Sequence, residues 1–263
     1  MSSERWSDLN QRIISGVVLG AVGLTSVVLG GVLFTLFVAL LCGAMIWELT
    51  RISNGSALIS LLLAAVTALV LFFEPGGYFV ASVILLAAIP TLFFAVSDIN
   101  KLRVVIFAVM VTSTGLVMQV LRFDLGLVWV LWLVLIVVAT DIAGYFAGRI
   151  IGGPKFWPSL SPKKTWSGTV AGWVLSAIVG VCFAPALFSP LVFLSILVSF
   201  ASQMGDIAES ALKRRFGVKD SSNLIPGHGG FLDRFDGMIA ATLVLGVLSV
   251  FAPDGLHFFE MGW

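Results

Sequence analysis

The segment from Gln203 to Gly237 holds five of the fourteen carboxylates, five of the fifteen Lys/Arg residues and one of the two histidines of this chain. Asp206, Glu209, Ser210 and Lys213 recur at i, i+3, i+4 and i+7, which places them on one stripe of a helix. Gln203 extends that stripe by a turn, and Lys213, Arg214 and Arg215 close it. Gly227-His228-Gly229-Gly230 follows, three glycines around one histidine, where the backbone can approach a ligand closely. Asp233, Arg234 and Asp236 then open another helix. Hard divalent cations such as Mg²⁺ take one or two protein carboxylates together with substrate phosphates. Carboxylates on two helices near one end of the molecule suit that chemistry. The competing account is structural: ion pairs of Asp and Glu with Lys and Arg.

Two upstream stretches add to the site. Asp141 ends a long apolar run, and a carboxylate inside a span costs about 2.5–3.5 kcal/mol on insertion scales. Tyr145 shares its helical face, one turn on. Asp141 either pairs with Arg149 at the interface or lines a polar cavity. The loop GGPKFWPSLSPKKTWSG sets Ser161, Lys163, Lys164 and Thr165 just before a helix that starts between Thr165 and Gly168. Two ammonium groups, hydroxyls and the free N–H groups of a helix N-terminus suit phosphate. The loop equally reads as a basic segment that sets topology. It has no P-loop string.

Of the 263 residues, 59% are hydrophobic and 11% charged, whereas soluble domains carry about 25% charged residues. A spanning helix needs about 20 mostly apolar residues. That rule predicts an all-α, polytopic integral membrane protein with about nine transmembrane helices, at 12–29, 32–50, 56–73, 78–96, 104–121, 126–147, 168–188, 190–212 and 234–252. Residues 1–121 read as membrane scaffold and dimer surface with almost no polar chemistry. Residues 122–263 read as the catalytic helices with two polar loops. With the N-terminus in the cytosol, 14 of the 15 Lys/Arg residues fall on the cytosolic side and only Arg122 falls outside. Both polar loops then face the cytosol, beneath the inner membrane. Cys42 and Cys182 stand alone in apolar runs and read as small hydrophobes.

The string SALKRRFGVKDSSNLIPGHGGFLDRFD, Ser210 to Asp236, resembles the signature of the phosphatidate cytidylyltransferase (CDP-diacylglycerol synthase) family. DIAGYFAGR and SPKKTWSG, upstream, resemble further family segments. The likeness covers about residues 141–237. It implies a membrane enzyme that condenses CTP with phosphatidic acid to CDP-diacylglycerol and pyrophosphate in phospholipid biosynthesis. It also implies a divalent cation such as Mg²⁺, a second cation such as K⁺, and a homodimer in the lipid membrane. Nucleic acid has no part in it.

On that reading the lipid phosphate attacks the α-phosphorus of CTP in line. Both reactants are anionic, so alignment and charge neutralisation dominate. Asp206 and Asp233 would hold the metal, with Asp236 and Asp141 as further candidates for ligation or water positioning. Lys163, Lys164 and Lys213 would clamp phosphates, Arg214 and Arg234 would add bidentate contacts, and Ser161, Thr165 and Ser210 would donate hydroxyls. His228, Gly229 and Gly230 would shape the nucleotide pocket. A CTP-dependent polyprenol or phytol kinase would instead move the γ-phosphoryl group. An ion or solute transporter would spread its polar residues across the midplane. Asp233, Asp236 and Gly237 partly mimic a CDP-alcohol phosphotransferase motif, but the apolar run after Ala240-Ala241 rules it out.

Overall fold

The structure is a computed structural model that describes residues 2–73, 99–158, 160–184 and 189–251. The expected span at 78–96 and the C-terminal segment from 252 lie outside the described residues. Helix dominates the described residues. In order come α1 (Ser2–Leu29), α2 (Gly31–Ile52), α3 (Ala57–Phe73), α4 (Ile99–Val120), a π-helical turn (Leu121–Leu125), α5 (Leu127–Ile150), β1 (Lys155–Trp157), β2 (Ser161–Thr165), α6 (Trp166–Cys182), α7 (Pro190–Arg215) and α8 (Leu232–Phe251). Gly30, at φ +66°, separates α1 from α2.

Among the described residues five helices are long and apolar enough to cross a membrane: Gln11–Leu29, Gly31–Ile52, Leu102–Leu125, Leu127–Ile150 and Pro190–Arg215. Ala57–Phe73 and Trp166–Cys182 are apolar but shorter. The all-helical expectation also needs a correction at the first polar loop. Residues 155–165 form an antiparallel hairpin, with Lys155 opposite Thr165 and Trp157 opposite Ser161. Backbone groups of a loop must find partners, and here they find one another. Phe156 meets Trp166 edge-on at 4.7 Å between ring centroids.

By contact the chain divides into two units, residues 1–127 with 212–235 and residues 128–211 with 236–263. In the first, α2 packs against α1, α3 and α4, burying Phe34, Met45, Leu49 and Leu71. Arg122, the lone cation expected on the outer side, has a specific task. Its Nε donates to Val27 O at 2.9 Å and its Nη2 to Val28 O at 3.3 Å. These carbonyls belong to the last turn of α1, where a helix runs out of its own donors and carries a partial negative charge.

The start of α8 is held from α2. Glu48 is fully buried, and its carboxylate accepts from Phe231 N at 2.9 Å and Leu232 N at 2.7 Å. The hydroxyls of Ser222, at 2.6 Å, and Ser221, at 3.2 Å, complete its shell. Glu48 therefore caps α8 from 184 residues away in sequence, satisfying N–H groups that a helix leaves without acceptors.

In the second unit hydroxyls join α5, α6 and α7. Thr140 Oγ1 lies 2.9 Å from Ser176 Oγ and 2.7 Å from Ser199 Oγ. Trp132 Nε1 donates to Ser195 Oγ at 3.1 Å. Within this unit α7 and α8 approach at Gly205, where any side chain would strike the Asp236 carbonyl and the Ala240 methyl. Small residues are how apolar helices come this close.

Two outcomes follow for stability, each read by thermal unfolding of the purified protein. Glu48→Ala orphans three buried or half-buried donors, Ser221 Oγ keeping Asp233, and lowers stability by about 2–4 kcal/mol, and Glu48→Gln, which keeps one acceptor oxygen, recovers part of that loss. Arg122→Ala uncaps α1 and costs about 0.5–1 kcal/mol, an effect that shrinks with added salt.

Candidate active site

The second unit contains a cavity of about 410 Å³ lined by Asp141, Tyr145, Arg149, Lys163, Lys164, Thr165, Gln203 and Asp206, among others. Each wall follows from local structure. Asp141, Tyr145 and Arg149 are spaced by four and share a face of α5. Arg149 Nη1 donates to Tyr145 Oη at 2.7 Å. Lys163 and Lys164 stand on β2. Thr165 is the N-cap of α6, extended at φ −117°, and its Oγ1 accepts from Gly168 N at 3.2 Å. Gln203 Nε2 donates to Thr169 O at 3.2 Å and its Oε1 accepts from Trp173 Nε1 at 3.1 Å, so the amide is fixed.

Charge in this unit is mixed. Lys164 Nζ pairs with Asp206 at 2.6 Å and donates to Gln203 O at 3.1 Å. Ser210 Oγ donates to Asp206 at 3.4 Å. Asp206, Asp141 and Lys164 all lie within electrostatic reach of Asp236. The Asp236 carboxylate accepts from its own neighbour, Gly237 N, at 2.7 Å. The close approach at Gly205 therefore sets two like charges, Asp206 and Asp236, beside each other. That arrangement is unfavourable unless a cation or a shared proton intervenes. The donor set, the carboxylate oxygens of Asp206 and Asp236, fits a hard divalent ion. Among the described residues no group of three or more His, Cys, Asp or Glu has the spacing of a complete protein metal cage. Mg²⁺ asks for none, since it keeps waters and substrate oxygens.

The first unit holds the rest of the signature. Lys213 Nζ sits 2.5 Å from Asp233 Oδ1, and both side chains are nearly buried. Asp233 Oδ2 accepts from Ser221 N, Ser221 Oγ and Gly230 N, each at 2.8 Å. This carboxylate is saturated. It ties the end of α7 to the loop and the loop to the first turn of α8. Gly230 has no room for a side chain, which would run into Ser221 Oγ and the Glu48 carboxylate. Arg234 Nε and Nη2 both donate to His228 O, at 2.9 and 2.8 Å. Partial burial, then the cations of Arg234 and Arg12, hold His228 below its ordinary pKa, so the ring is neutral near pH 7.

The sequence-derived residues thus fall into two sets. Asp141, Lys163, Lys164, Thr165 and Asp206 line one cavity, with Ser210 bonded to Asp206 and Asp236 beside it. Lys213, His228, Gly229, Gly230, Asp233 and Arg234 form one bonded loop. Asp206 and Asp233 belong to different units. Ser161 opens β2 at the end of the strand away from Thr165. Arg214 donates to Val218 O at 3.2 Å and finishes the turn after α7. Asp141 and Arg149 are not built as the simple ion pair that one reading allowed, since Arg149 turns to Tyr145.

Two residues were missed. Glu48 sits in an apolar helix as its single acid, and an isolated buried carboxylate was the available signal. Ser15 of α1 lies 2.8 Å from His228 Nδ1, and nothing in its neighbourhood in sequence marks it.

Residues 10–251 match the model of the cytidylyltransferase family. A phosphatidate cytidylyltransferase of Brucella suis biovar 1 (strain 1330) is 37% identical over 94% of this chain and 96% of its own length. One from Bacillus subtilis (strain 168) is 31% identical over 88% of this chain and 94% of its own. One from Helicobacter pylori (strain ATCC 700392 / 26695) is 40% identical over 48% of this chain and 49% of its own. A cavity edged by lysines and carboxylates, a saturated signature loop and a match spanning nearly the whole length converge on one assignment, that the chain belongs to the cytidylyltransferase family.

Proposed function

We propose that this chain is a phosphatidate cytidylyltransferase, which transfers the cytidylyl group of CTP to the phosphate of phosphatidic acid and releases pyrophosphate. The observation that carries this reading is the second-unit cavity, where Arg149, Lys163 and Lys164 meet Asp141 and Asp206, in a chain whose full-length relatives bear that name. Two anionic reactants need cations to share a site at all.

In the reaction a phosphate oxygen of the lipid forms a bond to the α-phosphorus of CTP as the bond to the β-phosphate bridging oxygen breaks. A phosphate monoester is already largely dianionic near neutral pH, so no general base is required. Lys163 and Lys164 neutralise the phosphates and orient them for in-line attack. Arg149, steadied by Tyr145, offers a bidentate contact. Thr165, already the cap of α6, sits at a helix N-terminus that favours an anion. Mg²⁺ is the resident divalent cation on this reading, with Asp206 and Asp236 as the carboxylates that would hold it and Asp141 to position its water. Once bound it would offset charge on the leaving pyrophosphate. Asp233 remains a candidate from sequence, and the structure gives it a second task in the Lys213 pair. A monovalent cation such as K⁺ and a homodimer complete the family expectation. So do nine spans threaded with the N-terminus and both polar loops on the cytosolic side of the inner membrane. His228, Gly229 and Gly230 remain candidates for the nucleotide from sequence.

Full-length protein in detergent, given labelled CTP and phosphatidic acid, produces pyrophosphate and a CMP-bearing lipid. CDP with a phosphorylated lipid would show a kinase instead. Lys164→Ala lowers kcat by about 10²–10³-fold, the scale of losing one preorganised electrostatic contact. Asp206→Asn and Asp236→Asn raise the Mg²⁺ concentration needed for half-maximal turnover by about 10–100-fold, and a chelator abolishes turnover of the native chain. Full turnover at unchanged Mg²⁺ in both variants would remove the cation from these carboxylates. Asp233→Asn also loosens Lys213 and the loop, so its kinetics are read beside its melting temperature.

A further inference from the structure

The hairpin of β1 and β2 follows closely on the crossing-length segment Leu127–Ile150. It runs into α6 with no linker, because Thr165 is both the last residue of β2 and the N-cap of α6. The joint is clamped as well. Trp166 N donates to Pro154 O at 3.0 Å, and Ser167 Oγ donates to Gly152 O at 2.5 Å. The depth of α5 and α6 in a bilayer therefore sets the depth of the hairpin.

Helix length constrains that depth. α6 has 17 residues, and at 1.5 Å per residue it spans about 26 Å. The hydrocarbon core of a bilayer is about 30 Å thick. Thr140, Ser176 and Ser199 bond α6 into one bundle with α5 and α7, so it cannot stand in water apart from them. An apolar helix this short thins the bilayer or draws its flanking residues to the boundary. One of its flanks is the hairpin.

The surface of the hairpin suits that boundary. Ile150 and Ile151 are 78% and 72% exposed, and Trp157 and Trp166 are each 45% exposed. Phe156 meets Trp166 edge-on, which fixes that ring in place. Tryptophan favours the membrane–water boundary, where its apolar body and its one N–H are both served. Lys155 and Lys163 are also exposed, with charges on long stems that reach headgroups. The backbone brings few open donors to this depth. Its strands pair with each other, and Pro154, Pro158 and Pro162 have no N–H. A loop standing in water gains nothing from four large apolar side chains held outward.

We propose that the hairpin is an in-plane docking element for lipid. Ile150, Ile151, Trp157 and Trp166 enter the headgroup–acyl boundary of a phospholipid leaflet, and Lys155 and Lys163 lie among its phosphates. β2 also carries Lys164, so docking fixes the depth of the cavity's lysines. The inference rests on the crossing helices and is independent of the reaction.

Cys182→Ser leaves only the buried Cys42, so a spin label goes to one introduced cysteine in the full-length protein. In phosphatidylcholine nanodiscs, labels at Trp157→Cys and Ile151→Cys show a higher ratio of oxygen to water-soluble nickel-chelate collisions than free label in buffer. The ratio stays below that of Val138→Cys, inside the crossing segment of α5. Nickel collisions at the level of free label put the hairpin in water and overturn the proposal. Rare collisions with both reagents mean that protein covers it, a second copy included, and overturn it equally. Adding phosphatidylglycerol deepens the Trp157 label, and Lys155→Glu reduces that shift. A depth indifferent to both overturns the place given to Lys155. Where a cysteine variant does not fold, the native side chain decides. The fluorescence that Trp157→Phe removes is quenched by lipid brominated near the start of its acyl chains and spared by aqueous iodide. The reverse pattern overturns the proposal.

Discussion

A carboxylate taken out of water must be repaid in hydrogen bonds or charge, and this fold is arranged around that requirement. Glu48 and Asp233 show the first solution. Glu48, wholly buried, receives two backbone N–H groups and the Ser222 hydroxyl, and shares the one hydrogen of the Ser221 hydroxyl with Asp233. Asp233 receives one ammonium, two backbone N–H groups and a hydroxyl. Ser221 serves both acids, so the two shells are one network. The loop between α7 and α8 joins both shells through Ser221, Ser222 and Phe231. These two acids give it a defined shape, with the N-terminus of α8 as the common anchor. Polar networks of this kind are rigid only while every member is satisfied.

The second unit treats its acids differently. Asp206 shares Lys164 with a backbone carbonyl, and Asp236 is brought beside it by the missing side chain at Gly205. Evolution of a purely structural pair would favour one acid and one base at such a crossing. Two acids on neighbouring helices, one of them lining a cavity that also exposes lysines, are costly side by side. The saturated shells of Glu48 and Asp233 contrast with the sparser ones of Asp206 and Asp236. That contrast argues that Lys213, buried against Asp233, shapes the loop more than it clamps a phosphate.

Much of this was legible in the residues. The apolar periods located the five crossing-length segments in α1, α2, α4, α5 and α7 within a few positions, although α1 itself begins ten residues earlier, at Ser2, because hydrocarbon length is a hard constraint on a spanning helix. The sequence placed a helix start between Thr165 and Gly168, and Thr165 is its cap. The spacing of Asp206, Ser210 and Lys213 gave the right helical face. Other features depend on distance in space alone. Glu48 stands 173 residues from Ser221, and no pattern within α2 says what it will cap. The hairpin at 155–165 alternates too briefly to be read as strands, and Pro162 argues against it in sequence. Spacing placed Lys213 on the same face as Asp206 but could not tell that it would turn to Asp233.

The same logic holds at the level of one side chain. A lone histidine among glycines says only that the backbone comes close to something, and its chemistry is set by what its ring nitrogens touch. Here Nδ1 lies 2.8 Å from the hydroxyl of Ser15. α1 is held by Arg122 on the carbonyls of its last turn and near its middle by Ser15, which meets Pro226 and His228. A helix with so many exposed apolar side chains depends on such polar contacts for its place.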